Sequence, residues 1–416
     1  MDSSPRVIRE LKPTVRSDAP RWTGPRATRA LKILAAFGLL LAFMLPGSWV
    51  SRGRISDVDA TTFPAWHFIE TGSFELSDHV ERNQWFVETQ QGVFSNRSPG
   101  AIGFATLAYA VATPWNARYT PLPGTLAAIA ASWLAALLVA ASAEKVRRGL
   151  WFPALILFGL GTATWSVSAN QLWPHGPAQL AIALAVWLLL KHKHVRAGLA
   201  FAAAVLVRPP TIILALGVAV VKAWRERSWR PLVLIAGPAV LAGVVFLIYT
   251  RMLFGSWSPV ASYEAVGGFY GLTGVWERAV NVGAAFVSPH HGVLLWSAWI
   301  GVCLLFAYRQ PLSAAQRWLT ATPIIGALYV AVHSTLEVAS GAFFYNYRYP
   351  LEAITLVAPF LFGAIPVLLQ NPVRRSALLI AGSSALLLQV GYLFLSKCLV
   401  IDPKTGALVC HYFGWI

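Results

Sequence analysis

The chain alternates between long apolar runs and short polar connections. An apolar run of about twenty residues can cross a bilayer as one helix. Residues 31–50 form the first such run, and the basic, proline-containing residues 1–30 precede it. We interpret 1–30 as a disordered cytoplasmic tail. We interpret 31–50 as a span, because a signal-peptide core has only about 7–15 apolar residues.

The later apolar runs predict further spans. Together they indicate an all-α, polytopic membrane protein with about eleven spans. After the first, the predicted spans are 121–143, 150–168, 176–190, a pair within 197–221, 231–250, 292–307, 318–334, 351–369 and 375–396.

The stretch 197–221 is predicted as two half-length helices, because Arg208-Pro209-Pro210 interrupts its centre. Proline lacks an N–H and its ring clashes with the preceding turn, so the pair breaks a helix. Broken membrane helices are tolerated where protein or a water-filled cavity surrounds them, which would direct Arg208 into a polar site. The alternative is one kinked span in which Arg208 reaches along the helix to the membrane surface.

Composition agrees with a membrane protein: 56% of the 416 residues are hydrophobic and 12% are charged, with a mean hydropathy of +0.58. The net charge of +16 could suggest nucleic acid. However, the basic residues form small clusters between the apolar runs, which is the positive-inside pattern. We therefore expect membrane lipid, and no nucleic acid, as a partner.

This charge pattern also sets the expected topology. Residues 100–114 are apolar enough to cross, but a crossing there would place Lys145, Arg147 and Arg148 outside. We therefore predict that 100–114 is a helix that stays at the outer side, and that every basic cluster is cytoplasmic. The protein is then expected in the plasma or inner membrane, with its N-terminus cytoplasmic and its C-terminus extracytoplasmic.

The first outer loop, residues 51–120, contains the longest hydrophilic passage, residues 51–98. Asp57 and Asp59 lie there, close after the first span, where carboxylates can reach a lipid head group. On the predicted topology, twelve of the 17 acids lie outside.

The histidines are scattered rather than at ligand spacing, so no metal site is predicted. A requirement for a divalent cation is left open. The outer tryptophans are assigned to the interfacial aromatic belt rather than to sugar binding; they include Trp66, Trp173 and Trp276.

With an Asp-x-Asp after span one, an Arg-Tyr-Pro near a late span and about eleven spans, the chain resembles the GT-C superfamily of glycosyltransferases. The first-loop motif reads Asp57-Val58-Asp59, then Ala65 and Gly72, then Asn96-Arg97-Ser98-Pro99-Gly100; the second reads Tyr347-Arg348-Tyr349-Pro350-Leu351. The resemblance includes the dolichyl-phosphate-mannose mannosyltransferase and aminoarabinose transferase types. It implies a GT-C-like domain over 31–396, with extracytoplasmic juxtamembrane helices in the first outer loop.

The resemblance implies transfer of a hexosyl or pentosyl group from a polyprenyl-phosphate sugar to a glycan, lipid or protein at the extracytoplasmic face. A carboxylate would accept the proton of the attacking hydroxyl. Many members have Asp-Glu where this chain has Asp57-Val58, so Asp57 or Asp59 could hold the base position, with Asp57 favoured by its spacing. Cations stabilise the phosphate as it leaves, and arginine offers a planar fork that fits its oxygens. The candidates for the donor phosphate are Arg348, Arg208, Arg97 and His175.

Two other functions remain open at this stage. A lipid flippase or secondary transporter would also have many spans and a buried arginine, but such proteins commonly show paired halves, and we detect no internal symmetry. An O-antigen ligase or polymerase would handle the same donors, without a carboxylate pair in the first loop as a defining feature.

The tail, residues 397–416, is expected to form an extracytoplasmic hairpin. Two short β-prone runs flank the turn 402–406, which has proline early and glycine late. Such a hairpin brings Cys398 and Cys410 together, and thiols oxidise outside the cytoplasm. We predict a Cys398–Cys410 disulfide, with two free thiols as the alternative.

Overall fold

The computed structural model describes residues 25–50, 56–112, 118–266, 274–336, 347–401 and 408–412. Residues 1–24 of the predicted basic tail and residues 402–407 of the predicted C-terminal turn lie outside these ranges. The described chain is mostly helical, with two small antiparallel hairpins.

The helices follow one another along the chain with few strands between them. The α-helices are α1 (Pro25–Val50), α2 (Ser56–Thr71), α3 (Pro99–Ala112), α4 (Leu122–Val146), α5 (Trp151–Gly159), α6 (His175–Leu189), α7 (His194–Val207), α8 (Ile212–Glu226), α9 (Gly237–Phe254), α10 (Ala261–Glu264), α11 (Val275–Val287), α12 (Val293–Trp296), α13 (Trp299–Ala307), α14 (Thr322–Leu336), α15 (Leu351–Phe362), α16 (Ile365–Leu369) and α17 (Pro372–Leu395). Shorter 3-10 helices occupy Ser77–Arg82, Pro209–Thr211 and Ala314–Ala321, and π-helical turns occupy Thr164–Ser168 and Leu232–Ala236.

Within the described residues, five helices are long and apolar enough to cross a membrane, as expected for a membrane protein. They are Ala27–Leu45, Leu122–Val146, Leu232–Phe254, Ala314–Leu336 and Pro372–Phe394. Other predicted spans consist of shorter pieces; 351–369, for example, is divided into α15 and α16. The count of eleven spans and the orientation of the termini stay predictions.

The centre of the helix bundle is α15, in which every residue from Leu351 to Phe362 is buried. It packs against α4, α6 and α14. The face of α4 is made of small residues, including Ala135, Ala136 and Ala140, which are fully buried. Small side chains let helices approach closely in a membrane protein. The start of α15 is therefore held in a densely packed position.

The predicted break at Arg208-Pro209-Pro210 is confirmed. α7 ends at Val207, a 3-10 turn covers Pro209–Thr211, and α8 begins at Ile212. Arg208 has an extended backbone, with φ −147° and ψ 92°. A residue before proline is driven to this conformation by contact with the proline ring. Because α7 ends before Arg208, this side chain can point away from the helix.

Residues 51–98 contain a helix, in line with the juxtamembrane helices that the resemblance implied for this loop; its placement outside the membrane stays a prediction. α2 runs from Ser56 to Thr71 with Pro64 inside it. An internal proline costs a helical hydrogen bond. Packing on two sides outweighs this cost, because Ala65 is buried with Ile102 and Ala105 of α3 and Phe63 is buried with Trp85 and Phe86. Strands β1 (Phe86–Thr89) and β2 (Gly92–Ser95) then form a hairpin before α3.

The helix predicted over 100–114 is present as α3, with 14 residues. At 1.5 Å per residue it is about 21 Å long, which is shorter than a bilayer core of about 30 Å. This length is compatible with a helix that stays on one side, and its placement at the outer face stays a prediction.

The C-terminal hairpin is present in the backbone. Strands β3 (Ser396–Ile401) and β4 (Leu408–Tyr412) pair antiparallel, and Cys398 lies opposite Cys410. This register is the one that the predicted disulfide requires. The two cysteine side chains lie outside the described part of the structure, so the disulfide stays a prediction.

Candidate active site

The two candidate base residues both lie in the first turn of α2. Negative side chains are favourable there, because backbone N–H groups at a helix N-terminus carry partial positive charge. Successive residues of a helix are rotated by about 100°, so Asp57 and Asp59 point in nearly opposite directions. The two carboxylates therefore meet different surroundings.

Asp57 is held between two arginines. Arg97 Nη2 donates to its Oδ1, and Arg348 Nη1 lies 3.4 Å from its Oδ2. Its side chain is 18% exposed. Burial alone would raise the pKa of Asp57, but the guanidinium groups of Arg97 and Arg348 outweigh that effect and hold the pKa below its usual value. Asp57 is consequently an ionised carboxylate at neutral pH.

Asp59 is part of a packed cluster. Its Oδ1 accepts a hydrogen bond from the Tyr119 hydroxyl, and its Oδ2 lies 3.3 Å from Arg82 Nε. The Arg82 guanidinium in turn lies 3.9 Å from the centre of the Phe63 ring. Asp59 itself is 6% exposed. These contacts tie α2 to the rest of the outer loop.

Arg97 is fixed by groups from several elements. Its N–H donates to Ser95 Oγ at 3.2 Å, and its carbonyl accepts from the Tyr249 hydroxyl at 3.1 Å. Its guanidinium donates from Nη1 to the Tyr263 hydroxyl at 3.3 Å and lies 5.0 Å from the Trp85 ring. The side chain is 8% exposed. Arg97 is therefore a preorganised cation rather than a mobile surface group.

Arg348 lies just before α15 and stacks on aromatic rings. Its guanidinium is 4.8 Å from the centre of the Trp173 ring and 5.0 Å from that of Tyr349. Nη2 also donates to the Tyr349 hydroxyl at 3.1 Å. Trp173 is 6% exposed, so its assignment to the aromatic belt was wrong: it supports Arg348 from inside the bundle. No sequence pattern distinguished it from the other tryptophans.

Arg208 joins a second cluster, built around Glu352. Arg208 Nε lies 3.2 Å from Glu352 Oε1 and 3.3 Å from the Tyr329 hydroxyl. Its Nη2 donates to His333 Nε2 at 2.6 Å. His175 Nδ1 lies 2.8 Å from the same Glu352 oxygen. His175 thus contacts the carboxylate that holds Arg208.

A cavity of about 90 Å³ lies between these clusters, and both Arg97 and Arg208 line it. Its lining contains both polar and apolar residues. The polar lining residues are Asn96, Arg97, Ser98, Arg208, Ser262, Tyr263 and His333, and the remainder are Pro174, Val207, Pro209, Pro210, Phe246, Pro259, Val260 and Leu336. Arg348 is linked to the cavity through Asp57, because Arg348 and the cavity-lining Arg97 both contact that carboxylate.

The charges around the cavity favour an anion. Arg97, Arg208 and Arg348 carry three positive charges, and Asp57 and Glu352 carry two negative ones. The cluster therefore has a net charge of +1 when its histidines are neutral. An anion with an apolar tail matches both this charge and the mixed polar and apolar lining.

Close contact between two backbones places Arg97 next to Arg208. A Cβ on Gly100 would lie 2.4 Å from the carbonyl carbon of Leu206, so only glycine fits there without movement. Ser98 Oγ donates to the carbonyl of Val207 at 2.5 Å. The start of α3 is thereby fixed against the end of α7.

The sequence did not single out Glu352, His333 or Tyr263. Glu352 carried one usable signal, because a carboxylate inside a predicted span is by default a functional residue. His333 and Tyr263 carried none, since they come to the cavity only through tertiary packing. In the parts of the chain that the structure describes, no group of three or more His, Cys, Asp or Glu residues could hold a metal ion.

Comparisons with known proteins identify no family for this chain. No family profile and no curated protein sequence matches it. Among solved structures, the Archaeoglobus fulgidus oligosaccharyltransferase in complex with zinc and sulfate aligns with 87% of this chain at 13% identity and a TM-score of 0.48. The same organism's oligosaccharyltransferase AglB, in complex with an inhibitory peptide and a dolichol-phosphate, aligns with 88% at 12% identity and a TM-score of 0.46.

The chain spans about half the length of these solved structures, covering 53% and 56% of them. At such identities and TM-scores the similarity does not establish an activity. The geometry of the site is therefore the basis for assigning a function.

Proposed function

We propose that this protein is an integral membrane glycosyltransferase that uses a polyprenyl-phosphate sugar as donor. The observation that supports this most is that Asp57 lies between two buried arginines, Arg97 and Arg348. This group lies beside a cavity of which about half the lining residues are apolar. A donor of this class has a phosphate with one negative charge and a long apolar chain. The cavity offers a net positive charge and an apolar wall for these two parts.

In this proposal Arg97 and Arg208 bind the phosphate, and Arg348 completes the site. A guanidinium presents two parallel N–H groups that match two phosphate oxygens. The first isoprene units would lie along the wall that includes Phe246 and Leu336. His175 acts through Glu352 rather than by touching the phosphate.

Asp57 is the proposed general base. The acceptor hydroxyl attacks the anomeric carbon and gives its proton to Asp57, while the bond from that carbon to the phosphate oxygen breaks. The phosphate leaves with the bonding electrons, and the arginines stabilise its added charge. Asp59 has both oxygens engaged by Tyr119 and Arg82, so it holds α2 in place instead.

The ion pairs of Asp57 would change when the donor binds. In the free protein, Arg97 and Arg348 donate to the carboxylate and weaken it as a base. A bound phosphate would compete for the same guanidinium groups. Asp57 would then regain basicity only when the donor is in place.

The test is to incubate the purified protein, in detergent, with a panel of polyprenyl-phosphate sugars and candidate acceptors. We expect release of polyprenyl phosphate, and at least a tenfold loss of donor affinity in Arg97→Gln. The control is Arg251→Gln, an exposed arginine that contacts only the Gly255 carbonyl among the described residues. Passage of intact donor across proteoliposomes without release would instead support the flippase or transporter alternative.

A further inference from the structure

Arg208 is held by three side chains that come from other helices. Glu352 from α15 and Tyr329 from α14 contact its Nε at 3.2 and 3.3 Å. His333, also from α14, accepts from its Nη2 at 2.6 Å. Within the described residues, Nη1 has no hydrogen-bond partner, and the residue lines the cavity. The guanidinium is therefore fixed along one edge and retains donor capacity on the other.

Glu352 contacts three members of this cluster: Arg208, His175 and Tyr329. Its Oε1 serves both Arg208 Nε and His175 Nδ1, and its Oε2 accepts from the Tyr329 hydroxyl at 3.2 Å. Its side chain is fully buried. It stands in the first turn of α15, the helix in which every residue is buried. Its position is thus set by the most densely packed part of the bundle.

We propose that Glu352 is a positioning residue for the donor site: it orients Arg208 so that the free edge of the guanidinium faces the phosphate. The inference rests on the proposed function. Arginine has a long flexible side chain, and Arg208 sits at a break between helices, where the backbone alone does not direct it. Glu352 fixes the direction and leaves the Nη1 edge for the ligand.

Two physical roles of Glu352 predict opposite effects on anion binding. If the carboxylate only adds negative charge near the cavity, its removal raises the net charge of the cluster from +1 to +2 and tightens binding of an anion. If it orients Arg208, its removal lets the guanidinium turn away and weakens binding. The sign of the change in Kd therefore separates positioning from simple electrostatics.

The experiment measures the Kd of a C55 polyprenyl monophosphate by microscale thermophoresis in detergent micelles. Glu352→Gln keeps the size of the side chain and removes its charge. We expect the Kd to rise by about 10- to 100-fold, the range for losing one charge-assisted hydrogen bond. Arg208→Gln should cause a similar rise, and Glu352→Gln/Arg208→Gln should bind no more weakly than Arg208→Gln alone, because both changes remove the same contact.

The matched control is Glu226→Gln. Glu226 also pairs with a buried cation, Lys222 at 2.7 Å, but at the far end of α8. Its replacement should leave the Kd unchanged.

A second variant, Tyr329→Phe, is used if Glu352→Gln cannot be purified in a folded state. It removes only the hydroxyl that bridges Arg208 and Glu352, and we expect the Kd to rise by about three- to tenfold.

The outcomes separate the two claims. If the wild-type protein binds the lipid and Arg208→Gln weakens it, while Glu352→Gln binds equally or more tightly, the positioning role is wrong and the donor site stands. Additive effects of Glu352→Gln and Arg208→Gln would also overturn it. If the wild-type protein does not bind the lipid, or Arg97→Gln and Arg208→Gln leave the Kd unchanged, the proposed donor site fails and this inference fails with it.

Discussion

Gly100→Ala is expected to damage both stability and the donor site. The added Cβ would lie 2.4 Å from the carbonyl carbon of Leu206, 2.5 Å from the nitrogen of Val207 and 2.6 Å from the carbonyl oxygen of Leu206. Unbonded carbon atoms pack at about 3.5–4.0 Å. The neighbouring atoms belong to backbone, so no side chain can rotate to make room. Relief requires α3 and α7 to separate by roughly 1 Å.

The expected free-energy change follows from two opposing terms. Replacing a helical glycine by alanine stabilises by about 0.5–1 kcal/mol in open space. Overpacking of a tight contact costs about 1–3 kcal/mol. With backbone atoms on the other side, the upper part of that range applies, and we expect a net loss of about 1–2 kcal/mol. Arg97 and Arg208 flank this contact, so their separation changes too, and donor affinity should fall roughly tenfold.

The assay is thermal unfolding of the purified protein in detergent, followed by lipid binding as above. Gly103→Ala is the control, because Gly103 lies in the same helix and its added Cβ meets nothing within 4 Å. We expect Gly103→Ala to unfold at the wild-type temperature or higher, and Gly100→Ala several degrees lower. Equal unfolding temperatures and equal donor affinities for the two variants would refute the packing argument.

Three further predictions test other parts of the account. Because the pKa of Asp57 is held below its usual value of about 4, kcat/KM should stay level as pH falls to 5 and decline only below about 4; a decline centred above pH 5 would contradict this. Without reductant, intact mass after alkylation should show Cys398 and Cys410 unmodified; alkylation of both would remove the disulfide. In the otherwise native protein, a cysteine placed at Arg118 should react with an impermeant thiol reagent from outside and one at Arg147 should not; the reverse pattern would overturn the topology.

The features that the sequence predicted correctly depend on local chemistry. Pro209 and Pro210 together remove two adjacent backbone N–H donors, so the division between α7 and α8 could be placed without a structure. The alternation of β-prone runs around residues 402–406 likewise indicated the hairpin of β3 and β4. Each signal lies within a few residues of its effect.

The features that the sequence missed depend on distant contacts. Asp57 and Asp59 could not be separated from the sequence, because their opposite directions follow from the position of α2, which packing forms around Pro64. Glu352 lies 144 positions after Arg208 in the numbering, and no spacing rule connects them. The three arginines were each chosen as cations near the outer face. That Arg97 and Arg348 share Asp57, and that Arg97 and Arg208 line one cavity, required tertiary structure.

The most direct test of the proposed chemistry compares two nearly isosteric changes, Asp57→Asn and Asp59→Asn, in the donor-release assay at saturating donor. An amide keeps the shape of the side chain and cannot accept the proton. Asp57→Asn should lower turnover by about 10²- to 10⁴-fold, as for loss of a general base, with donor affinity unchanged or tighter because the arginines no longer pair with it. Asp59→Asn should keep turnover within about tenfold of wild type and unfold at lower temperature, because a buried charged contact is lost. Near-normal turnover in Asp57→Asn, or a larger loss in Asp59→Asn, would contradict the assignment of Asp57 as the base.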